Sequence, residues 1–278
     1  MVKQIYPCLW FDGQAKAAAD LYCSAFGNSK IISENPMVVM LEINEKKIMA
    51  LNGGPQYKIN PSISFFVHCI SVKEIDELWK KLSDGGKAMM PLNEYPWSKR
   101  YGWLQDKFGM TWQLMLNEDA GAKQSLVPSF LFTGDKFGRA EEAIKFYSSL
   151  FENSKTQNIQ FYPKEDTSAG KVLFSKFYLN NYLLIAMDGP GEHKYTFDEG
   201  VSFVVECDTQ KEIDYFWDNF TKEGKESMCG WCSDKFGVSW QVIPSILGKL
   251  MSDPEKSQRV VQAFLKMKKF DIKKIQEA

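Results

Sequence analysis

The chain repeats one eight-residue phrase near the end of each half. Residues 106–113 read DKFGMTWQ, and residues 234–241 read DKFGVSWQ. Three further blocks recur in the same order, namely residues 22–30 with 147–155, 63–65 with 201–203, and 73–76 with 211–214. The halves differ in length near residues 90–102 and 162–170, where polar residues, glycine and proline are typical of loops. A repeat of this length predicts two similar domains in tandem, residues 1–120 and 121–245, followed by a tail, residues 246–278.

Composition limits the class of protein. A chain of 278 residues with 44% hydrophobic content is large enough for two buried cores. The net charge of −1 and the lack of a Lys/Arg stripe argue against a nucleic-acid surface, so the expected partner is a small molecule. No apolar run approaches the roughly eighteen residues of a membrane span, and the first residues lack the apolar stretch of a signal peptide. We therefore expect a cytoplasmic protein with no membrane partner.

Each half contains the same order of elements twice. An apolar first strand is followed by a helix with an apolar stripe, which is Ala18, Leu21, Tyr22, Ala25 and Phe26 in the first half and Ala143, Phe146, Tyr147, Leu150 and Phe151 in the second. Strand pairs then flank Asn44-Glu45 and Asn180-Asn181, since asparagine tolerates the positive φ of a two-residue hairpin turn. A second strand and helix follow, with Ser71 and Thr209 as predicted N-caps. The patterns predict four βαβββ modules in an α+β fold.

Two segments leave alternatives open. Cys229 and Cys232 have the spacing of a redox pair, but the segment precedes a strand hairpin rather than a helix, and we favour two ordinary strand residues in a reducing compartment. In the tail, Ser252-Asp253-Pro254 marks a helix start. The stripe of Val260, Val261, Phe264 and Met267 lies beside lysines and could touch a membrane, but docking on the protein's own second domain is the commoner outcome.

The modules and their motifs resemble the vicinal oxygen chelate superfamily, which includes glyoxalase I, bleomycin-resistance proteins and extradiol dioxygenases. They look most like its PhnB-like branch, whose members are often labelled 3-demethylubiquinone-9 3-methyltransferase. The motifs that carry the resemblance are PCLWFDG at residues 7–13, MALNGGP at 49–55, ISFFV at 63–67, CGW at 229–231, the two DKFGxxWQ phrases, and SDPEK and KMKK at 252–256 and 266–269. The resemblance covers nearly the whole chain and implies a tandem duplication of a glyoxalase-like domain.

The resemblance also implies open barrels in which some members bind a divalent metal. The first-strand metal ligand falls near Tyr6 and Val127, the fifth-strand histidine near Ser62 and Gly200, and the last-strand glutamate on Gln113 and Gln241. The end of the first module of each half falls on Asn52 and Asp188. An amide in place of the glutamate lacks its charge, so a divalent metal cofactor is possible but not favoured. The weak metal candidates are Asp188, His193 and Glu206.

Strand alternation separates core from cavity. If Gln113 and Gln241 face the cavity, Trp112 and Trp240 face the helices and belong to the core. Trp10 shares a face with Tyr6 and Cys8, and His68 and Glu206 occupy matching positions of their strands. The two cavities then differ in lining, which suits one working site beside a mainly structural domain, or two sites for different apolar portions of a ligand. The predicted ligand contacts are Trp10, Asn52, Phe66, Gln113, Asp188, Glu206 and Gln241.

Two classes of function follow from these residues. The first is a small-molecule-binding protein of the glyoxalase or bleomycin-resistance type with a degenerate metal site, and we favour it. The alternative is a metal-dependent lyase, isomerase or dioxygenase of the superfamily, or the methyltransferase that the branch label implies, so the residues do not decide whether the protein is an enzyme. Methyl transfer has no support from a glycine-rich cofactor motif. Since the duplication can replace the pairing of single-domain relatives, we predict a monomer by internal pseudo-dimer.

Overall fold

Four βαβββ modules follow one another along the chain, as the sequence patterns predict. The computed structural model describes residues 4–119, 121, 123–253 and 255–278. The first two modules are β1 (Gln4–Phe11), α1 (Ala15–Ala25), β2 (Ser29–Glu34), β3 (Val38–Ile43) and β4 (Lys46–Asn52), then β5 (Ile63–Cys69), α2 (Val72–Leu82), β6 (Lys87–Tyr95), β7 (Ser98–Gln105) and β8 (Thr111–Leu116). The other two are β9 (Ser125–Phe132), α3 (Ala140–Leu150), β10 (Lys155–Phe161), β11 (Val172–Leu179) and β12 (Tyr182–Asp188), then β13 (Val201–Cys207), α4 (Gln210–Thr221), β14 (Lys225–Glu226), β15 (Trp231–Ser233) and β16 (Ser239–Pro244).

Each of the two sheets combines modules from both repeats. The first sheet has the order β14-β15-β16-β13-β1-β4-β3-β2, so it joins the first module to the fourth. The second sheet has the order β10-β11-β12-β9-β5-β8-β7-β6 and joins the second module to the third. Antiparallel pairs, β1 with β13 and β5 with β9, close the two seams. Residues 1–120 and 121–245 therefore delimit repeated sequence, whereas neither sheet is confined to one of them.

Local sequence explains the hairpins and helix starts. Asn44, Glu45, Asn180 and Asn181 all have positive φ, between 46° and 63°, which is the conformation that a two-residue turn requires. The Ser71 hydroxyl accepts the amide of Glu74, and the Thr209 side chain forms a reciprocal capping box with Glu212. Both predicted caps and both predicted turns are confirmed.

One face of each sheet packs against the helices and the other face is curved inward. Trp112 and Trp240 are fully buried on the helix side, which confirms the prediction from strand alternation. On the opposite side, the ring centroids of Phe66 on β5 and Phe174 on β11 are 5.8 Å apart, and those of Trp10 on β1 and Trp231 on β15 are 5.6 Å apart. Each of these pairs spans three strand spacings of about 4.8 Å. Rings so far apart along the sheet can meet only because both sheets are strongly concave.

The tail docks on the fourth module, as predicted. It forms α5 (Leu247–Met251), α6 (Ser257–Phe264) and α7 (Ile272–Gln276). Val260, Phe270 and Ile275 are buried, and the Gln210 side chain donates to the carbonyl of Phe270 at 2.9 Å. The amides of Cys229 and Gly230 donate to the carbonyls of Met267 and Lys268. The α6 helix starts later than expected, and Pro254 lies outside the described residues.

Cys229 lies in a turn rather than in a strand. Its φ is 58°, it lies two residues before the start of β15, and both it and Cys232 are free thiols. The turn places its backbone amides toward the tail, so this segment holds the tail in place. Within the described part of the chain, no helix is both long and apolar enough to cross a membrane.

Candidate functional site

The concave face of the first sheet carries a closed polar network at its rim. The Tyr6 hydroxyl donates to Glu206 at 2.8 Å, and the Lys47 ammonium lies 2.8 Å from the same carboxylate oxygen. The Lys47 ammonium also lies 4.0 Å from the centre of the Tyr6 ring. Burial, followed by the charge of Glu206, raises the pKa of Tyr6 well above its usual value, so its hydroxyl stays protonated. Glu206, a predicted ligand contact, is therefore already paired with a lysine and a phenol.

Trp10 and Gln241 on this face also have intramolecular partners. The Trp10 indole donates to the Gly54 carbonyl at 2.7 Å and packs edge-on against Trp231 and Tyr57. A Cβ on Gly53 would lie 2.3 Å from the Trp10 ring, so only glycine permits this position. The Gln241 amide donates to the Ser202 hydroxyl at 2.9 Å. Trp10 and Gln241 do face this cavity, where intramolecular contacts hold them.

A row of sulfur-bearing side chains crosses the floor of the same face. Strand register aligns Met40 with Met49 and Met49 with Cys8 across β3, β4 and β1. Cys8 is buried beside Tyr6 and Val204, and burial raises the pKa of its thiol to about 12. The thiol is therefore protonated near neutral pH, and this floor is apolar.

The concave face of the second sheet has an aromatic and methionine lining. Phe66, Tyr101, Val127 and Ile185 are buried there, and a partly buried group packs on them, namely Met90, Tyr95, Trp103, Met115, Phe174, Leu183 and Met187. Gln113 lies at the centre, where its oxygen accepts the Tyr101 hydroxyl and its nitrogen donates to Ser64, both at 2.8 Å. Phe66 and Gln113 thus face this cavity, as predicted.

Three buried polar atoms on this face have no hydrogen-bond partner among the described residues. They are His68 Nε2, Trp103 Nε1 and Ser129 Oγ. His68 is 5% exposed, its Nδ1 lies 3.1 Å from the Ser125 hydroxyl, and its ring centre lies 5.0 Å from that of Phe66. Burial, followed by the positive charge of Lys176, lowers the pKa of His68 to about 4, against a smaller opposite effect of Asp119. His68 is therefore a neutral imidazole near pH 7, with a free nitrogen in the cavity.

Asn52 and Asp188 do not line a cavity, contrary to the sequence prediction. Asn52 accepts the amide of Ala15 at 2.9 Å, and Asp188 accepts the amides of Gly138, Ala140 and Val172 at 2.8 to 3.1 Å. Each residue ends a strand beside the start of α1 or α3, where the first amides of the helix have no intrahelical acceptor. Both side chains are therefore remote caps. Burial raises the pKa of Asp188, while the three amides oppose that shift.

The weak metal candidates are not brought together. Asp188 ends β12 in the second sheet, Glu206 lies on β13 in the first, and His193 Nε2 lies 3.0 Å from the Pro190 carbonyl in a loop. In the ranges that the structure describes, no three His, Cys, Asp or Glu side chains are close enough to hold a metal ion. At the positions of the implied glutamates, Gln113 and Gln241 are engaged with hydroxyl groups. A neutral amide among hydroxyls, a thiol and aromatic rings does not fit a divalent transition metal.

Sequence reasoning missed the function of the aspartate that opens each repeated phrase. One Asp234 oxygen accepts the amides of Phe236 and Val238, while the other accepts the Trp240 indole at 2.8 Å and the Tyr147 hydroxyl at 2.6 Å. Asp106 makes the same contacts to Phe108, Met110 and Trp112. The spacing of six residues between aspartate and tryptophan, identical in both copies, is the signal that could have found this link. The phrase is a structural turn, and only its final glutamine reaches a cavity.

The predicted ligand contacts do not include Ser129, Trp103 or Lys176. The signal for Lys176 and Ser129 lies in the strand register: Lys176, Ile185 and Ser129 align across β11, β12 and β9, as Met40, Met49 and Cys8 do in the first sheet. Equivalent positions of the two faces thus carry different chemistry. The alignment of Lys176 with Ser129 can be found only when the strand pairing is known.

These sheets and cavities define a glyoxalase-like protein built from duplicated modules. The family model described as 3-demethylubiquinone-9 3-methyltransferase matches residues 3–115 and 124–243, and the chain belongs to this family. A putative 3-demethylubiquinone-9 3-methyltransferase, the PhnB protein from Bacillus cereus, is 32% identical over 41% of this chain and all of its own, with a TM-score of 0.39. Glyoxalase I from Zea mays is 15% identical over 86% of this chain and 92% of its own, with a TM-score of 0.58, a likeness of fold alone. No curated protein matches the chain.

Proposed function

We propose that the protein binds a small molecule on the concave face of the second sheet. The observation that carries this proposal is the set of three buried polar atoms without partners, His68 Nε2, Trp103 Nε1 and Ser129 Oγ. A buried polar atom without a partner costs about 1–3 kcal/mol, which a ligand that supplies the missing hydrogen bonds would recover. The aromatic and methionine side chains around these atoms suit the apolar part of such a ligand. The proposal concerns binding and assigns no reaction.

The first sheet serves in this proposal as the structural partner. Its indole, glutamate and glutamine groups already have intramolecular partners, and the row of Met40, Met49 and Cys8 offers no strong hydrogen-bonding group. A ligand would have to break these contacts before it could bind there. The difference between the faces supports one working site in the molecule.

A thermal-shift screen with matched variants tests the proposal. The screen uses planar aromatic compounds with one hydrogen-bonding group, and divalent metals in separate wells. We expect aromatic compounds to raise the melting temperature of the protein. Gln113→Ala should abolish the shift, because Gln113 positions Tyr101 and Ser64 on the second face. Gln241→Ala, its equivalent in the first sheet, should retain the shift.

Two outcomes would contradict the proposal. One is a shift that Gln241→Ala abolishes and Gln113→Ala retains, which would place the site on the first sheet. The other is a rise in melting temperature with divalent metals alone, which would support the alternative function of a metal-dependent enzyme of the superfamily. Both variants are first compared by chemical denaturation, so that an unfolded variant is not mistaken for loss of binding.

A further inference from the structure

We infer that the site on the second sheet is built for an aromatic carboxylate, with its carboxylate toward Lys176 and its ring system on Phe66 and the β6–β7 hairpin. This inference rests on the proposed function and names the class of ligand. The concave face adds an unpaired lysine at one end and stacked aromatic rings at the other to the three free polar atoms.

The first end carries a cation without an anionic partner. Lys176 lies on β11 with the same strand parity as Phe174, which belongs to the concave lining. Its ammonium lies 5.9 Å from the centre of the Phe174 ring, and it forms no ion pair with any described carboxylate. It is also close enough to His68 to lower the pKa of the imidazole. A partly buried lysine without a counter-ion favours an anionic ligand group.

Hydrogen-bonding groups stand beside this lysine. Strand register aligns Lys176, Ile185, Ser129 and Ser64 in one row across β11, β12, β9 and β5. The free Ser129 hydroxyl in this row can hydrogen-bond a carboxylate oxygen, whereas the free His68 nitrogen lies further along β5, beyond Phe66, and can bond a second polar group of the ligand. Because His68 is neutral, Lys176 supplies the positive charge at this end. One charge and one neutral hydroxyl suit a monoanion such as a carboxylate better than a phosphate dianion.

The second end is an aromatic platform. Tyr95 and Trp97 are stacked with ring centres 5.1 Å apart, and Tyr101 meets both rings edge-on. Tyr95 and Tyr101 belong to the concave lining, yet Trp97 is 57% exposed at the tip of the hairpin. The strands β6 and β7 have nine and eight residues, whereas their equivalents β14 and β15 have two and three. Of these two equivalent hairpins, only β6–β7 is long enough to place aromatic rings at the edge of the concave face.

Phe66 connects the two ends. Its ring lies 5.0 Å from His68, 5.8 Å from Phe174 and 6.4 Å from Tyr101, measured between centroids. A two-ring aromatic acid on Phe66 would reach the cationic end with its carboxylate and the platform with its far ring. The free Trp103 indole, on the same hairpin, is left to donate to a polar substituent of the ligand.

Calorimetric titration with three probes tests the inference: 2-naphthoate, its neutral isostere 2-naphthamide, and cyclohexanecarboxylate. We expect 2-naphthoate to bind one to one, and the amide to bind about tenfold more weakly because it lacks the charge. Cyclohexanecarboxylate should bind more weakly still, since it cannot stack. Lys176→Met, which introduces the residue found at the equivalent position of the first sheet, should remove the preference for naphthoate and leave amide binding within about twofold. Trp97→Ala should weaken both naphthyl probes about fivefold.

Matched controls locate the effect. Lys155→Met removes a second lysine of this sheet that lies near an aromatic ring, in this case that of Tyr178. Tyr57→Ala removes an exposed aromatic side chain beside the first sheet. Both should bind the probes as the wild type does. Equal affinity for naphthoate and naphthamide, or an unchanged preference in Lys176→Met, overturns the inference and leaves the proposed function standing. Failure of every aromatic probe to bind overturns both.

Discussion

At the scale of single residues, the molecule separates polar groups that hold the fold from polar groups left available. Asp234, Asn52 and Asp188 are buried or nearly so, and every one of them satisfies backbone or side-chain donors of its own chain. His68 differs, because one of its ring nitrogens is buried and unpaired. An unpaired buried nitrogen costs stability, and a ligand that forms a hydrogen bond with it would recover that cost.

His68 makes the unfolding free energy of the protein depend on pH. Its pKa is about 4 in the folded chain against 6.5 for an ordinary histidine, because burial and Lys176 disfavour the charged ring, while Asp119 opposes them. The unfolded chain therefore binds more protons between these values. The contribution of the neutral imidazole is fully present above pH 6.5 and is lost as the pH falls toward 4. We expect the difference in unfolding free energy between wild type and His68→Gln to fall by up to about 3 kcal/mol over this window.

Chemical denaturation at several pH values measures that difference. The comparison with His68→Gln is essential, since burial also raises the pKa values of other carboxyl groups, among them Asp106 and Asp234. Their contribution is common to both proteins and cancels in the difference. A difference that stays constant from pH 7 to pH 4 would show that His68 is not buried as a neutral ring.

At the scale of elements, the repeated phrase is a turn held by one buried carboxylate. Asp234 joins the turn after β15 to Trp240 on β16 and to Tyr147 on α3, so one side chain links a turn, a strand and a helix of a neighbouring module. This explains why the phrase keeps both its aspartate and its tryptophan in the two copies. The turn also needs Gly109 and Gly237, whose φ values are 96° and 89°.

Asp234→Asn should destabilise the protein by about 2–4 kcal/mol. The amide group must turn its NH₂ toward two backbone amides or toward an indole and a phenol, so buried donors face each other without an acceptor. Urea unfolding measures the loss. Tyr147→Phe removes a single hydrogen bond of the same carboxylate and should cost only about 1 kcal/mol. If the unfolding free energy of Asp234→Asn lies within roughly 0.5 kcal/mol of the wild-type value, the carboxylate does not hold the turn.

Elements were well predicted from sequence, and their pairing was not. The helices, the hairpins at Asn44 and Asn180 and the opposite faces of Trp112 and Gln113 follow from local spacing and turn chemistry, so the sequence reveals them. The joining of the first module to the fourth depends on contacts far apart in the chain, which no local pattern encodes. For the same reason the capping role of Asn52 and Asp188 could not be foreseen: each reaches a helix that begins 37 or 48 residues earlier.

At the scale of the whole molecule, a single hydrophobic core joins the four modules. The buried cluster on the helix side runs from Ile5 and Tyr22 through Trp112 and Phe130 to Trp240 without division into two. Each sheet also contains a seam between repeats. The two halves of the sequence therefore share both their sheets and their core, and the predicted monomer would be stabilised by contacts within one chain.

Thermal unfolding should consequently be one cooperative transition. Neither repeat can keep a complete eight-stranded sheet when the other unfolds, so we expect the calorimetric and van't Hoff enthalpies to agree. If the protein is a monomer, its melting temperature should not change with protein concentration. Scanning calorimetry over a tenfold range of concentration checks both expectations. Two separated transitions would show that residues 1–120 and 121–245 are independent domains.

The order of modules within the sheets also affects how the protein could be engineered. All strands of the second sheet come from one uninterrupted stretch between Ile63 and Asp188, whereas the first sheet is assembled from the two flanking stretches, residues 4–52 and 201–244. The gene thus encodes the proposed site in one central stretch, residues 63–188, and the first sheet in the two stretches on either side. A ligand specificity could be exchanged between relatives by swapping that single stretch, with two chain junctions to repair and the shared hydrophobic core to match.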